Sequence, residues 1–265
     1  MYLTIRAIVL RVTDYNDRDA LLTVLSRNHG KLTVKARGLR RKNSPLIAPC
    51  QLLAFGEFTL FEYRGQYTIN EAHSIELFQS LRRDLMRLSL GTYFAQAAEV
   101  ISQEDLPNPD LQSLLLNCLY ALSKLDIPEE KIKSVFELRA ACLAGYMPDL
   151  FGCHNCGNQS PDRFDISEGL LECHSCRSVG GGIRMPVTPG VLEAMRYICL
   201  CDPKKLLAFH IGPENLEKLA NLTEAYLTTQ LERGFSTLDF YKAGSRGPAS
   251  SDKLMERDGR KWRKL

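Results

Sequence analysis

Two close pairs of cysteines stand in the second half of the chain. They are Cys153 with Cys156 and Cys173 with Cys176, in the spacing C-x2-C-x16-C-x2-C. Each C-x2-C can turn as a short knuckle that brings two sulfurs to one ion, and the whole spacing is typical of a tetrahedral thiolate zinc site. Four thiolates leave no coordination position for water or substrate, so the pattern predicts structural zinc. Reduced thiols and a redox pair are the alternatives.

A cationic stretch lies earlier in the chain, at residues 31–44, where the sequence reads KLTVKARGLRRKNS. Its bases are Lys31, Lys35, Arg37, Arg40, Arg41 and Lys42, and no acid follows before Glu57. The net charge of the whole chain is only +3, so this positive excess is regional. Clustered cations can neutralise the phosphates of a nucleic acid, and each neutralised phosphate releases a counterion. The alternative is a solvated loop whose bases keep an edge strand soluble.

Familiar catalytic patterns do not occur in the sequence. It contains no HExxH, no HxE paired with PCxxC and no GxxxxGK[ST], which would indicate a zinc protease, a zinc deaminase and an ATP-binding loop. Asp14, Asp17 and Asp19 lie close together, but they resemble a polar turn between strands rather than a carboxylate cluster for two-metal chemistry. The residues favour a binding protein over an enzyme. A zinc-dependent enzyme acting on nucleic acid is the less favoured alternative.

Short strands are expected to position the cationic stretch. Alternating apolar and polar residues, separated by turn residues, predict strands at residues 3–12, 20–27, 31–37, 52–63 and 67–74. Five short strands in the first third of the chain indicate a small barrel of the OB type, a fold that binds oligonucleotides. In the third strand the bases alternate with apolar residues and share one face, and Gly38 then allows a turn to the remaining bases.

Aromatic residues lie on both faces of the predicted fourth strand. Phe58 and Phe61 are interpreted as core. Tyr63 and Tyr67, on either side of Arg64, are candidates for stacking on bases.

Helices are predicted after residue 74, where the apolar period changes from two to about 3.6. Gly91 is a possible break in the first helical segment, and Leu111 begins a second with one apolar stripe. Pro128, Thr188 and Pro213 mark the beginnings of further helices. The predicted fold class is α+β. An OB-fold barrel at residues 1–80 precedes an all-α domain at 81–242 with the four-cysteine loop inserted at 150–180, and a mobile basic tail occupies 243–265.

Composition fits an ordinary globular protein. The chain has 265 residues and 45% hydrophobic content, which suggests two domains at about 150 residues each. No signal peptide is recognised, and no apolar run approaches the roughly 20 residues that cross a bilayer, so we expect a cytosolic protein without membrane contact. Nine is an odd number of cysteines, and four of them are closely paired, so the sequence argues against a secreted disulfide scaffold. Those outside the quartet, Cys50, Cys118, Cys142, Cys199 and Cys201, are interpreted as small hydrophobic residues.

Two segments resemble the bacterial RecO family of recombination-mediator and DNA repair proteins. They are AIVLRVTDYNDRDALLTVLSRNHGKLTVKARGLRRKNSPL in the barrel and GYMPDLFGCHNCG, followed by CHSC, in the insertion. The resemblance extends to about residue 240. The family's Gly-Lys turn, Ala-Arg-Gly and basic-Ser run match at Gly30, Lys31, Ala36, Arg37, Gly38, Arg40, Arg41, Lys42 and Ser44. Where many relatives have a Gly-Gly pair before the third cysteine, this chain has Gly-Leu-Leu-Glu at residues 169–172, which alters the loop and keeps the ligands.

The resemblance implies a non-enzymatic mediator of DNA repair and homologous recombination. Such a protein binds single-stranded and double-stranded DNA, anneals complementary strands, forms a complex with RecR and helps to load the recombinase RecA. It also implies a cytoplasmic, nucleoid-associated place in bacteria and a structural zinc ion that is dispensable for activity.

Contact with the acidic C-terminal tail of the single-stranded DNA-binding protein is a further implication. Lys131, Lys133 and Arg139 are predicted to be surface bases beside apolar groups, and such a surface could hold an acidic peptide end. A zinc-stabilised nucleic-acid-binding adaptor is the corresponding alternative function.

Overall fold

The computed structural model describes residues 1–176 and 182–245. Strands come first, helices follow, and a second group of short strands interrupts the helices. The strands are β1 (Tyr2–Asp14), β2 (Ala20–Ser26), β3 (Gly30–Ala36), β4 (Phe55–Tyr63), β5 (Gln66–Glu76), β6 (Asp149–Cys153), β7 (Arg163–Asp165), β8 (Leu170–Glu172) and β9 (Arg184–Pro186). The helices are α1 (Leu85–Ile101), α2 (Pro109–Lys124), α3 (Glu129–Leu143), α4 (Pro189–Leu200), α5 (Pro213–Gln230) and α6 (Ser236–Ser245). The predicted α+β fold class is confirmed.

The first five strands close into a barrel in the order β1-β2-β3-β5-β4, and β4 pairs back onto β1. Neighbouring strands are antiparallel except β3 and β5, which run parallel with Val34 beside Tyr67. This is the five-stranded OB-like barrel that the sequence predicts. Alternate residues fill its interior, so β3 buries Leu32, Val34 and Ala36.

Side-chain caps fix where several helices begin. Asp84 accepts hydrogen bonds from two backbone N–H groups at the start of α1, and Asn108 accepts one at the start of α2. Thr188 caps α4 as the sequence predicts. Among the described residues, none of the helices is both long enough and apolar enough to span a membrane.

The expected break at Gly91 is wrong, because α1 continues through it. A Cβ at this position would lie 3.1 Å from the Leu119 side chain and 3.2 Å from that of Leu53. The glycine therefore allows close packing of α1 against α2 and the barrel.

One continuous hydrophobic core joins the barrel to the helices. Ile8, Leu10 and Leu25 of the barrel belong to the same buried cluster as the inner faces of the helices. Gln112 on α2 is 4% exposed, and its side-chain amide donates to the carbonyl oxygen of Leu25 at 2.8 Å. A buried amide left without a partner costs about 1–3 kcal/mol, so this bond favours one seating of α2 on the barrel.

The four-cysteine insertion folds as a small sheet in the order β6-β8-β7-β9, which the sequence did not indicate. Most of its strands have three residues, too few for a visible period. Phe164 and Leu171 are buried in the main core, and the ring of Phe164 packs edge-on against Tyr226 of α5 with centroids 5.3 Å apart. The side-chain amide of Gln230 donates to the carbonyl oxygen of Ile166 at 2.9 Å. These contacts anchor the insertion on the helical body.

Helix α6 is absent from the sequence prediction. It packs along α1, where the Ser89 hydroxyl donates to the carbonyl oxygen of Thr237 at 2.7 Å. Phe235, Leu238 and Tyr241 are buried beneath it at helical spacing. The predicted tail at 243–265 begins within this helix, and residues 246–265 lie outside the described residues.

Candidate nucleic-acid interface and metal centre

Strand β3 presents its bases on the outer face of the barrel, as its alternation predicts. Arg37, just beyond the strand, is exposed, whereas Lys31 and Lys35 are half-buried. The two lysines are less exposed because each contacts another part of the molecule.

Lys31 lies against the helical body. Its Nζ donates to the carbonyl oxygen of Glu99 near the end of α1 at 3.1 Å, and its backbone N–H donates to that of Gln103 at 3.3 Å. Gly30, with φ of +65°, approaches so closely that a Cβ would lie 2.2 Å from the carbonyl oxygen of Leu106. Lys31 therefore helps to join the barrel to the helices and lies at the margin of the predicted cationic surface.

Asp19 organises the opposite end of β3. Its carboxylate pairs with the Nζ of Lys35 at 3.3 Å and accepts the backbone N–H of Gly38 at 2.8 Å. The Gly38 hydrogen bond is the main cause that lowers the pKa of Asp19, and Lys35 adds to it. The Nζ of Lys35 also lies 4.4 Å from the ring centroid of Tyr15. These contacts tie the loop after β3 to the loop before β2.

The remaining four bases occupy the loop after β3. Arg40 forms an ion pair with Asp14, and both side chains are exposed. Such exposed pairs contribute about 0–1 kcal/mol, so a phosphate can compete with the carboxylate. Arg37, Arg41 and Lys42 are exposed and make no ion pair within the described part of the chain. The loop thus offers three unpaired cations and one weakly paired cation.

A groove of about 500 Å³ collects cations from two parts of the molecule. Arg40, Arg41 and Lys42 line it from the loop, and Arg82 lines it from the 3-10 turn that precedes α1. Among the described residues, none that lines this groove is acidic. We call it the cationic cavity. Its walls carry positive charge that an anion can neutralise.

Arg82 is a candidate that sequence reasoning missed. One of its terminal nitrogens donates to the carbonyl oxygen of Leu52 at 2.7 Å, and burial lowers the pKa of Arg82. Its Nε is buried and has no hydrogen-bond partner within residues 1–176 and 182–245. Nothing local in the sequence links Arg82 to the loop, because only the packing of the helical body on the barrel brings them together.

The two predicted stacking residues lie at the turn between β4 and β5. Tyr63 is 60% exposed, and the guanidinium of Arg64 lies 5.2 Å from its ring centroid. The parallel pairing of β3 with β5 places Tyr67 beside Val34. Tyr67 is half-buried against the barrel core. Tyr63 is therefore the better placed of the two predicted stacking residues.

Of the two phenylalanines interpreted as core, only Phe58 is buried. The prediction for Phe61 is wrong, since it is 40% exposed and packs on Tyr2 with ring centroids 5.3 Å apart. Alternation along β4 turns odd and even residues to opposite faces, and the outer face also carries an aromatic side chain.

The four cysteines converge within the insertion. Cys153 ends β6, Cys173 follows β8, and the parallel pairing of these strands brings the two knuckles together. The sulfur atoms of Cys153, Cys156, Cys173 and Cys176 all lie within 4.8 Å of one another. This cluster could hold a metal ion.

The cluster fits the donor set of zinc. The sulfurs of Cys156 and Cys173 are 3.9 Å apart, and a tetrahedral site with Zn–S bonds of about 2.3 Å requires about 3.8 Å. Burial would raise the pKa of Cys153, but hydrogen bonds from nearby backbone N–H groups lower it to about 6. The lowered pKa of Cys153 favours its thiolate, the form that binds metal.

The three predicted surface bases of the helical body are engaged internally. The prediction is wrong for Lys133, which is 3% exposed and pairs with Glu137 at 3.0 Å and Glu224 at 2.9 Å. The Nζ of Lys131 donates to the carbonyl oxygens of residues 207 and 209, and Arg139 donates to those of residues 198 and 199. Their positive groups hold helices together because carbonyl and carboxylate oxygens from elsewhere in the chain occupy them.

The chain combines an OB-like barrel that has an exposed cationic loop with a helical body that carries a four-cysteine cluster. The sequence model of the family described as "Recombination protein O N terminal" matches residues 1–78. That of "Recombination protein O C terminal" matches residues 82–239. The chain therefore belongs to the RecO family of DNA repair proteins.

Curated relatives agree with this assignment. DNA repair protein RecO of Acetivibrio thermocellus is 33% identical over 244 residues, which cover 91% of this chain and 96% of that protein. DNA repair protein RecO of Alkaliphilus metalliredigens is 30% identical over 245 residues, covering 91% of this chain and 99% of that protein. DNA repair protein RecO of Bacillus pumilus is 28% identical over 227 residues, covering 85% and 88%.

Proposed function

We propose that this protein binds single-stranded and double-stranded DNA through the loop after β3 and anneals complementary strands as a mediator of homologous recombination. The cationic cavity is the observation that carries the proposal, because cations from the loop and from Arg82 line it and none of the described residues that line it is acidic. A DNA backbone supplies the phosphates that such a surface can neutralise. The exposed Tyr63 would offer a stacking face to a base elsewhere on the barrel.

The cationic surface suits annealing because two polyanions must approach each other. Neutralised phosphates reduce the repulsion between two strands, and bases that remain accessible can then pair. No catalytic residue is needed for this process, so we propose a function without enzymatic activity. The proposed sites are Lys35, Arg37, Arg40, Arg41, Lys42 and Arg82, with Lys31 at the margin.

Membership of the RecO family supports the proposed partners. They are RecR, the recombinase RecA, which the protein would help to load, and the acidic C-terminal tail of the single-stranded DNA-binding protein. Lys131, Lys133 and Arg139 no longer indicate a free surface for that tail, so we assign no residues to it. A protein that acts on the bacterial chromosome would work in the cytoplasm at the nucleoid.

Structural zinc is the proposed occupant of the cysteine cluster. Four thiolates would fill a tetrahedral zinc shell, so the ion would stabilise the insertion and offer no open position to substrate. This chemistry favours the binder over the alternative of a zinc-dependent nucleic-acid enzyme.

A strand-annealing assay with a nuclease control separates these functions. We expect the purified protein to accelerate duplex formation between two complementary labelled oligonucleotides while each strand keeps its full length on a denaturing gel. Failure to accelerate pairing would contradict the annealing proposal. Metal-dependent shortening of either strand would instead support the enzyme.

A further inference from the structure

Two cysteines outside the metal cluster touch each other in the helical body. Cys142 lies at the end of α3, Cys199 lies at the end of α4, and their sulfur atoms are 3.7 Å apart. A disulfide bond has an S–S distance of about 2.05 Å, so the sulfurs need to approach by less than about 2 Å. The insertion connects α3 to α4, and this contact joins the end of α3 to the end of α4 that is remote from the insertion.

The surroundings make the two thiols unequal. Cys142 is half-buried, whereas Cys199 is only 4% exposed. The hydrogen bond between the thiols lowers the pKa of Cys142, burial opposes this, and the nearby Arg139 guanidinium lowers the pKa further. The same thiol contact, with burial, raises the pKa of Cys199. Cys142 is thus the more accessible and more nucleophilic partner.

We propose that Cys142 and Cys199 form a reversible oxidation site, in which a hydroperoxide converts the two thiols into a disulfide that links α3 to α4. The Cys142 thiolate attacks one peroxide oxygen, the O–O bond breaks, and hydroxide leaves when hydrogen peroxide is the oxidant. The sulfur is oxidised to a sulfenic acid as the peroxide is reduced. The Cys199 sulfur then attacks the Cys142 sulfur, the S–O bond breaks, and water leaves with the Cys199 proton. A dithiol reductant reverses the reaction by thiol–disulfide exchange.

The other cysteines lack this combination. Cys50 and Cys118 are buried singly, and burial raises the pKa of both thiols, to about 12 for Cys50. Cys201 follows Cys199 closely in sequence, but burial raises the pKa of its thiol. In a crosslinking test, Cys201 is therefore the residue that competes with Cys199 for a bond to Cys142.

Peptide mapping of the full-length, zinc-loaded protein tests the proposal. The protein is treated with dilute hydrogen peroxide, quenched with catalase, alkylated under denaturing conditions and digested with chymotrypsin. Cleavage at Leu143 and Leu200 separates Cys142 from the metal cluster and Cys199 from Cys201. We expect a crosslink between Cys142 and Cys199 that dithiothreitol removes and that persists in Cys201→Ser. Crosslinking of Cys142 only to Cys201, or no crosslink, would overturn the proposal.

Single variants test the two roles. In Cys199→Ser, dimedone should trap a sulfenic acid on Cys142, whereas in Cys142→Ser it should leave Cys199 unlabelled. Labelling of Cys199 but not Cys142 would overturn the roles. Cys142→Ala replaces Cys142→Ser if circular dichroism shows that the serine variant does not fold.

Discussion

The loop after β3, with Arg37, Arg40, Arg41 and Lys42, is the cationic loop. Its acidic partners determine how strongly it can attract an anion. Asp14 pairs with Arg40 and Asp19 pairs with Lys35. The Arg40–Asp14 pair is exposed, so solvent and salt weaken it, whereas the Lys35–Asp19 pair is half-buried. The exposed pair can orient Arg40 and still leave it free to exchange its carboxylate for another anion. A phosphate must compete with the Asp14 carboxylate for the Arg40 guanidinium. If the phosphate displaces the carboxylate, it contacts a guanidinium that is already positioned.

Removing the competing carboxylate should therefore strengthen DNA binding. We expect Asp14→Asn to bind single-stranded DNA up to about fivefold more tightly, because an exposed ion pair contributes up to about 1 kcal/mol. Fluorescence anisotropy at fixed salt measures the change. Asp17→Asn is the control, since it removes the same charge from the loop that follows Asp14, and Asp17 makes no ion pair within the described residues. Equal affinities for the two variants would contradict competition at Arg40.

Lys133 is a buried cation that forms ion pairs within the helical body. Burial alone would lower its pKa, but Glu137 and Glu224 more than offset this and raise it. Stability from Lys133 is therefore present at neutral pH and lost as pH rises through this raised pKa. Tyr93 and Thr223 also donate to Glu137, at 2.9 and 2.8 Å, so the buried carboxylate is fully engaged. The helical period could not reveal this site, because Glu224 and Thr223 come from a distant helix.

Truncating Lys133 should leave Glu137 buried without its charge partner. We expect Lys133→Ala to lower the free energy of unfolding by about 3–5 kcal/mol, measured by guanidinium denaturation. The exposed Lys124→Ala should change it by less than about 0.5 kcal/mol. Combining Lys133→Met with Glu137→Gln should recover part of the loss, because the amide is neutral and still accepts from Tyr93. A Lys133→Ala protein as stable as Lys124→Ala would contradict the buried pair.

At the scale of elements, long periodic segments could be predicted from the sequence and short ones could not. The alternation of β3 and the cap at Thr188 were visible because their physical causes are local. The strands of the insertion depend on pairing between distant segments. Phe235, Leu238 and Tyr241 stand at helical spacing, and this spacing is the sequence signal for helix α6.

The insertion should bind one zinc ion per chain and keep its place on the helical body when the ion is lost. We expect Cys173→Ser to abolish stoichiometric zinc in metal analysis, and each kcal/mol of lost stability should lower the melting temperature by about 2–4 °C. Helical circular dichroism should persist because Phe164 and Leu171 lie in the main core. Cys201→Ser should retain one equivalent. Zinc-free wild-type protein would contradict the metal centre.

At the scale of the whole molecule, the shared core brings cations from two parts of the chain to one groove. The barrel alone would present the loop, whereas the packed helical body adds Arg82. The net charge of +3 does not indicate this arrangement, and the cationic stretch predicts only the cations that the loop contributes. Arg82 could be assigned only after tertiary packing was known.

Salt dependence of single-stranded DNA binding tests the central claim most directly. Arg37→Gln combined with Arg41→Gln should weaken binding and reduce the slope of log affinity against log salt by about 0.7 for each lost phosphate contact. Lys204→Gln combined with Lys205→Gln, which removes two exposed cations elsewhere, should leave the slope unchanged. If the loop variant keeps the wild-type slope, or the control loses as much, the DNA does not bind at the cationic loop.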